Sequence, residues 1–175
     1  RLRGTSGTEI LLTVKRKGAE APLRIAMTRT HVVPPTVIAR RDGGVLTIRV
    51  TSFNQNTATS LERELRQGLG DAGRRTTGLV LDLRGNPGGL LDQAIEVADL
   101  FLGEGRIASA VGRHPDSNQT FDASGGQVGE KVPMVVLVNG RSASSAEVVA
   151  SALADRGRAL TVGTTSYGKG TVQTI

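Results

Sequence analysis

Short apolar runs, separated by polar and glycine-bearing segments, organise this 175-residue chain. The first two runs, at residues 8–14 and 23–27, flank a charged turn and predict a pair of strands. From Val45 onward, further strand-like runs alternate with segments at helical spacing, a pattern typical of a largely buried sheet. These further predicted strands occupy residues 45–50, 79–83, 107–111, 134–138, 159–162 and 171–175. The polar segment 112–131 predicts an exposed loop or hairpin.

Apolar positions at helical spacing lie between several of these strands. After residue 89 they are Leu91, Ala94, Ile95, Ala98 and Phe101 or Leu102, and after Ser144 they are Val148, Val149, Ala152 and Leu153. Thr59 and Glu62 have the spacing of a capping box, which predicts another helix ending near Gly68. The alternation of strands and helices predicts an α/β fold in layers around a largely buried sheet. Pro34 and Pro35 predict a stiff linker, so we divide the chain into residues 1–33 and 34–175.

Composition excludes some classes of function. The formal charge is +6, but the basic residues are dispersed and aromatic residues make up only 2%. We therefore expect no nucleic-acid partner. The sequence has no cysteine, which excludes disulfides and thiolate metal sites. It has only two histidines, which also disfavours a zinc hydrolase. No apolar stretch in it is long enough for an integral membrane segment.

Ser144 follows an apolar run and a glycine turn, at the start of a predicted helix. The common role for such a serine is that of an N-cap, with Glu147 as its capping-box partner. The same position also suits a nucleophile, because the Ser145 amide and the positive end of the helix dipole can stabilise an oxyanion. Residue types alone do not separate Ser144 from Ser142 and Ser145 as the reactive hydroxyl.

Lys169 lies between Gly168 and Gly170, just before the last predicted strand. Most lysines are exposed surface residues, but glycines on both sides indicate a close backbone approach or unusual dihedral angles. A desolvated, neutral lysine can act as the base that activates a serine. A phosphate-binding loop is excluded, because Gly170 stands where that motif requires serine or threonine.

The turn at residues 82–89 is rich in glycine and joins a predicted strand to a predicted helix. Such a turn exposes backbone N–H groups suited to an oxyanion or a carboxylate, although it can also serve as a tight turn without a ligand.

Three motifs, in this order along the chain, resemble those of the carboxyl-terminal processing (tail-specific) serine proteases. They are the 82–89 turn, the Ser-Ala-Ser-x-x-Glu run ending at Glu147, and the Tyr-Gly-Lys-Gly-x-Val-Gln run at 167–173. The resemblance implies a Ser–Lys dyad with Ser144 as nucleophile and Lys169 as base. It also implies the supporting roles: oxyanion binding by the amides of Ser145 and of Gly88 or Gly89, orientation of Lys169 by Gln173, and a supporting position for Asp155.

The same resemblance implies a fold for each part of the chain. Residues 34–175 would form a layered protease core of crotonase-like ββα units, and residues 1–33 the C-terminal remnant of a PDZ domain. Members of the family continue beyond the last predicted strand, so we expect an incomplete core. An unpaired edge at 171–175 would then favour self-association, and a homo-oligomer is a further expectation.

The resemblance implies no metal and no cofactor. Substrates would be proteins or peptides with accessible C-terminal tails, and the location would be periplasmic or otherwise extracytoplasmic. The alternatives are a catalytically silent peptide-binding scaffold of this fold and a crotonase-type acyl-CoA enzyme, which shares the strand-helix layout and the glycine-rich oxyanion turns. A Ser-His-Asp triad is disfavoured, because His31 lies beside the linker and His114 in the polar segment.

Overall fold

The computed structural model describes residues 2–70 and 76–172. The chain divides into two compact units, Arg1–Pro34 and Pro35–Ile175, one residue away from the predicted division. In the smaller unit, β1 (Glu9–Val14) pairs antiparallel with β2 (Leu23–Thr28), as the two first apolar runs predicted. The assignment of this unit to a PDZ domain stays a prediction.

A five-stranded sheet forms the centre of the larger unit. It comprises β3 (Val37–Asp42), β4 (Val45–Val50), β5 (Gly78–Asp82), β8 (Met134–Val138) and β9 (Leu160–Gly163), in that spatial order. The β3–β4 pair is antiparallel, and the β4–β5, β5–β8 and β8–β9 pairs are parallel. A separate antiparallel hairpin is formed by β6 (Arg106–Ala110) and β7 (Gln119–Asp122), within and beside the segment predicted as a loop or hairpin.

Three helices of the described chain connect the parallel strands. They are α1 (Thr57–Gly70) between β4 and β5, α2 (Leu91–Asp99) after β5, and α3 (Ser145–Asp155) between β8 and β9. Their apolar faces and the sheet share one core, whose most deeply buried members include Ile48, Leu81, Val136, Leu61, Val97 and Leu153. The predicted α/β architecture is confirmed. Because β5 and β8 are parallel neighbours, the turns that follow them meet at one edge of the sheet.

Two local predictions differ from the structure or fall partly outside the described residues, and one strand was not predicted. Strand β3 was not predicted, because Arg40, Arg41 and Asp42 give this edge strand few apolar positions. The capping box at Thr59 is wrong: α1 begins at Thr57, and Glu62 instead accepts a hydrogen bond from Arg66 Nε at 2.8 Å, one turn further on. Of the strand predicted at 171–175, residues 171 and 172 are in no strand, and 173–175 lie outside the described part of the chain.

A buried carboxylate lies at the carboxyl end of β5. The side chain of Asp82 is only 6% exposed, and it accepts hydrogen bonds from both Nε and Nη2 of Arg84 at 2.8 Å. These bonds hold the pKa of Asp82 below its ordinary value, against the opposing effect of burial. The pair therefore fixes the direction in which the chain leaves β5 and enters the glycine-rich turn.

We predict that Asp82→Asn lowers the free energy of unfolding at pH 7 by about 1–3 kcal/mol, because a charge-assisted pair is lost. The folded-state pKa is depressed, so this stabilisation is complete well above pH 3.8 and is lost as the pH falls through the folded value. Urea unfolding from pH 7 down to about 3 should therefore show the two proteins converging. The exposed Arg106–Asp122 pair supplies the control, since Asp122→Asn should change stability by less than about 0.5 kcal/mol. Equal losses in both variants would contradict the prediction.

Candidate active site

The turns after β5 and β8 are tied together by hydrogen bonds. The Gly85 N–H donates to Asn139 Oδ1 at 2.9 Å, and the Ala143 N–H donates to the Asn86 carbonyl at 2.9 Å. A buried hydroxyl adds a third link, from Ser142 Oγ to the Leu83 carbonyl at 2.8 Å. The two turns therefore form one structural unit at the sheet edge.

Asn86 is the central side chain of this unit and is 0% exposed. Its Nδ2 donates to the Val50 carbonyl at 3.0 Å, which connects the turn to the end of β4. Its Oδ1 accepts the Gly88 N–H at 2.8 Å. Sequence reasoning gave Asn86 no role, although an asparagine between Gly85 and Pro87 in a strand-to-helix turn is a recognisable turn signal.

Ser144 is the N-cap of α3, as predicted, and the Glu147 carboxylate accepts its N–H at 2.7 Å. Its backbone has φ 56° and ψ −121°, and it is the one non-glycine residue with positive φ in the described ranges. This conformation is strained for an L-residue and persists only where the surroundings impose it. The sharp strand-to-helix turn leaves the Ser144 side chain partly exposed at the edge of the sheet, as in a nucleophile elbow.

The two neighbouring serines are held in structural roles. Ser142 is 0% exposed, and its hydroxyl is the donor to Leu83 described above. Ser145 is 3% exposed and donates from Oγ to the Gly89 carbonyl at 2.9 Å. The structure therefore distinguishes the three hydroxyls, which the residue types could not do, and leaves Ser144 as the accessible one.

The glycine turn contacts Ser144 directly. Gly88 has φ +100°, and a Cβ at this position would lie 2.9 Å from the Ser144 Cβ and 3.1 Å from the Ser145 nitrogen, so a side chain would not fit. Its N–H is already bonded to Asn86. In the described part of the chain the N–H groups of Ser145 and Gly89 donate to no protein acceptor. The Ser145 hydroxyl bond to the Gly89 carbonyl holds these two residues next to each other.

Glu147 joins the Ser144 turn to the segment that carries Lys169. Its Oε1 accepts hydrogen bonds from the Ser166 hydroxyl and the Gly168 N–H, both at 2.6 Å. Its Oε2 accepts the Lys169 N–H at 2.9 Å and the Ser144 N–H at 2.7 Å. One oxygen atom therefore bridges the backbones of the two residues predicted to form the dyad.

The charge on Glu147 is favoured by these contacts. Partial burial alone would raise the pKa of this carboxyl, but the bonds from Ser166, Gly168, Ser144 and Lys169 outweigh it and lower the pKa. Lys169 itself is exposed, contrary to the expectation of a desolvated base. The reason is local: residues 164–172 leave the sheet after β9 and run across the surface without a strand or helix of their own.

Other predicted residues lie elsewhere. Asp155 is exposed at the last residue of α3, roughly 16 Å along the helix from Ser144, and does not join it. An open cavity of about 750 Å³ also lies at that far end, lined by the segments that follow α2 and α3, residues 101–105 and 156–158, together with Gly125 and Gln127. His114 pairs with Asp116 at 3.3 Å in the loop before β7. Gln173 lies outside the described residues.

No group of three or more His, Asp or Glu side chains suited to a metal ion occurs among residues 2–70 and 76–172. In the same ranges, none of the helices has the length and apolar character needed to cross a bilayer.

Comparison with known proteins gives concordant matches. The profile of Peptidase family S41 matches residues 44–175. A carboxy-terminal-processing protease of Bartonella bacilliformis is 43% identical over 175 residues, which cover 99% of this chain and 40% of the relative. A carboxyl-terminal-processing protease of Synechocystis is 36% identical over 180 residues, covering 100% of this chain and 41% of the relative. The solved photosystem II D1 C-terminal processing protease superposes with a TM-score of 0.70 at 28% identity, over 98% of this chain and 47% of that one.

The chain spans about two fifths of the length of these curated relatives. Within that span, the family match covers the turns after β5 and β8, including Ser144, and the segment that carries Lys169. It extends over well more than half of the residues, and the relatives align with the smaller unit as well. The chain therefore belongs to peptidase family S41.

Proposed function

We propose that the protein is a serine endopeptidase that cleaves protein substrates near their C-terminus with a Ser144–Lys169 dyad. The observation that carries the proposal is the strained Ser144 backbone, φ 56°, beside the N–H groups of Ser145 and Gly89, which donate to no acceptor among the described residues. Strain of this kind is expected where a side chain must be presented for chemistry. The names of the relatives, carboxy-terminal processing proteases, support the substrate class.

The proposed reaction begins with attack of Ser144 Oγ on the scissile carbonyl carbon, while Lys169 Nζ accepts the hydroxyl proton. The tetrahedral oxyanion is bound by the N–H groups of Ser145 and Gly89. Lys169 then returns its proton to the leaving amine as the peptide bond breaks, which leaves an ester on Ser144. A water molecule, deprotonated by Lys169, then attacks the ester carbonyl. Lys169 returns this proton to Ser144 Oγ as the ester bond breaks, which restores the hydroxyl and releases the new carboxylate.

Gly89 suits the second oxyanion donor better than Gly88. The Gly88 N–H is occupied by Asn86 Oδ1, whereas the Gly89 N–H makes no bond to protein among the described residues. In the proposal Gly88 contributes close packing against Ser144, because any side chain there would displace the nucleophile.

Because Lys169 is exposed, we propose that the bound substrate shields its amine from water. A bound peptide lying over Ser144 and Lys169 removes water from the lysine amine and favours its neutral form. Gln173 retains its proposed role in orienting that amine. Recognition of substrate tails by strand addition to a PDZ module, a homo-oligomeric state and an extracytoplasmic location belong to the same proposal, through the family resemblance.

We predict that Ser144→Ala lowers peptide hydrolysis by about 10⁴-fold or more, because the nucleophile is removed. Unfolding free energy should change by no more than about 1 kcal/mol, since only an N-cap hydroxyl is lost. Assays of the full-length protein with a peptide substrate and a fluorophosphonate label measure both the rate and the reactive residue. Ser151→Ala, on the exposed side of the same helix, is the matched control and should behave as wild type. Retained activity in Ser144→Ala would contradict the proposal, as would turnover of an acyl-CoA in place of peptides.

We predict that Lys169→Arg is inactive in both assays, because a guanidinium stays protonated and cannot accept the Ser144 proton. Lys131→Arg tests the same substitution at an exposed position, and His114→Ala tests the histidine; neither should change the rate or its pH profile. Substantial hydrolysis by Lys169→Arg, or its loss in His114→Ala, would exclude the dyad.

A further inference from the structure

Segment 164–172 is held to α3 chiefly by the side chain of Glu147. Glu147 accepts hydrogen bonds from Ser166, Gly168 and Lys169 in this segment. Elsewhere in the described residues, the segment is joined by backbone bonds from Thr164 to Val138 at 3.4 Å and from Tyr167 to Ser142 at 2.9 Å. Since the segment has no strand or helix of its own, its position depends on these few bonds.

The backbone at Gly168 explains how two successive N–H groups reach one carboxylate. Gly168 has φ +86°, in the left-handed region that favours glycine. A left-handed residue within a turn points consecutive N–H groups to the same side and forms an anion-binding concavity known as a nest. Here the Gly168 and Lys169 N–H groups form the nest, and the Glu147 carboxylate is the anion in it. The lysine side chain therefore starts from a backbone whose direction is set by Glu147.

The same carboxylate also binds the backbone of Ser144, the other residue of the proposed dyad. Its Oε2 accepts the N–H of Ser144, the residue with the strained backbone. Loss of the carboxylate would thus remove three hydrogen bonds from segment 164–172 and, at the same time, the bond to the Ser144 N–H. No other described side chain accepts hydrogen bonds from the backbones of both residues.

We propose that Glu147 is a positioning residue, whose carboxylate in the Gly168–Lys169 nest sets the separation of Ser144 from Lys169. This inference rests on the proposed function for its kinetic consequences, and it makes a separate structural claim about segment 164–172. Glu147 touches no reacting atom, so its loss should reduce kcat and leave substrate binding nearly unchanged.

The test uses the full-length protein with Glu147→Gln, which keeps the shape and removes the charge, and Gly168→Ala, which opposes the left-handed backbone. Both variants should lower kcat on the order of 10²-fold, with KM within about twofold, since misplacement by an ångström has such an effect. Hydrogen exchange at the amides of residues 166–170 should become faster, while β8 and the body of α3 stay protected.

Gly43→Ala is the control for the glycine substitution. Gly43 has φ +53° and open space where a Cβ would be, as Gly168 does, but it lies in the β3–β4 turn of the larger unit. It should leave kcat and exchange at 166–170 unchanged. For the carboxylate, Glu104→Gln on the exposed surface is the corresponding control.

Wild-type kcat in Glu147→Gln or unchanged exchange at 166–170 would overturn the inference. A loss of protection throughout β8 and α3 would also overturn it, because Glu147 would then support the fold as a whole. Failure of the proposed function looks different: the wild-type protein would neither hydrolyse peptides nor react with a fluorophosphonate. The exchange measurement would still decide the position of the segment in that case.

Discussion

The parallel pairing of β5 with β8 is the constraint on which the candidate site depends. Parallel neighbours end at the same edge of a sheet, so the chain must leave both strands side by side. The residues that follow these strands, 83–89 and 139–145, therefore lie side by side, and hydrogen bonds join them. The order of the strands thus brings the two turns together, and the side chains in the turns then fix their geometry. The glycines and asparagines make the close approach possible, and the core beneath the sheet holds it rigid.

The helix α3 serves two purposes at its first residue. Its N-terminus needs an acceptor for the free N–H groups, and Glu147 provides one through the capping box. Within residues 2–70 and 76–172, the N–H groups of Ser145 and Gly89 have no protein acceptor. A stable helix start and the two proposed oxyanion donors therefore come from the same few residues. This overlap explains why a common structural motif at Ser144 is compatible with a rare chemical role.

Much of this arrangement could be predicted from sequence, because the strands 45–50 and 134–138 are rich in apolar residues and their predicted bounds match the structure. The start of α3 was also recognisable, since its cap residues are close in sequence. Strand β3 was not predicted because an edge strand needs few apolar residues, and Arg40 and Arg41 interrupt its apolar pattern. The roles of Asn86 and of the Glu147 bonds to segment 164–172 depend on long-range contacts, which have no local pattern. The distant position of Asp155 follows from the uninterrupted length of α3, and the predicted helix with its spacing of eleven residues already implied it.

The two asparagines that hold the turns differ in their chemical durability. Asparagine deamidates when the backbone nitrogen of the next residue attacks its side-chain carbonyl. Pro87 has no N–H, so this route is closed for Asn86, whose amide needs both its donor and its acceptor. Gly140 offers the least hindered neighbour, so the route is open for Asn139, whose Oδ1 accepts the N–H groups of Gly85 and Arg141. Chemical ageing of the sheet edge would thus begin in the β8 turn, a few residues before Ser144, and leave the buried asparagine of the β5 turn intact.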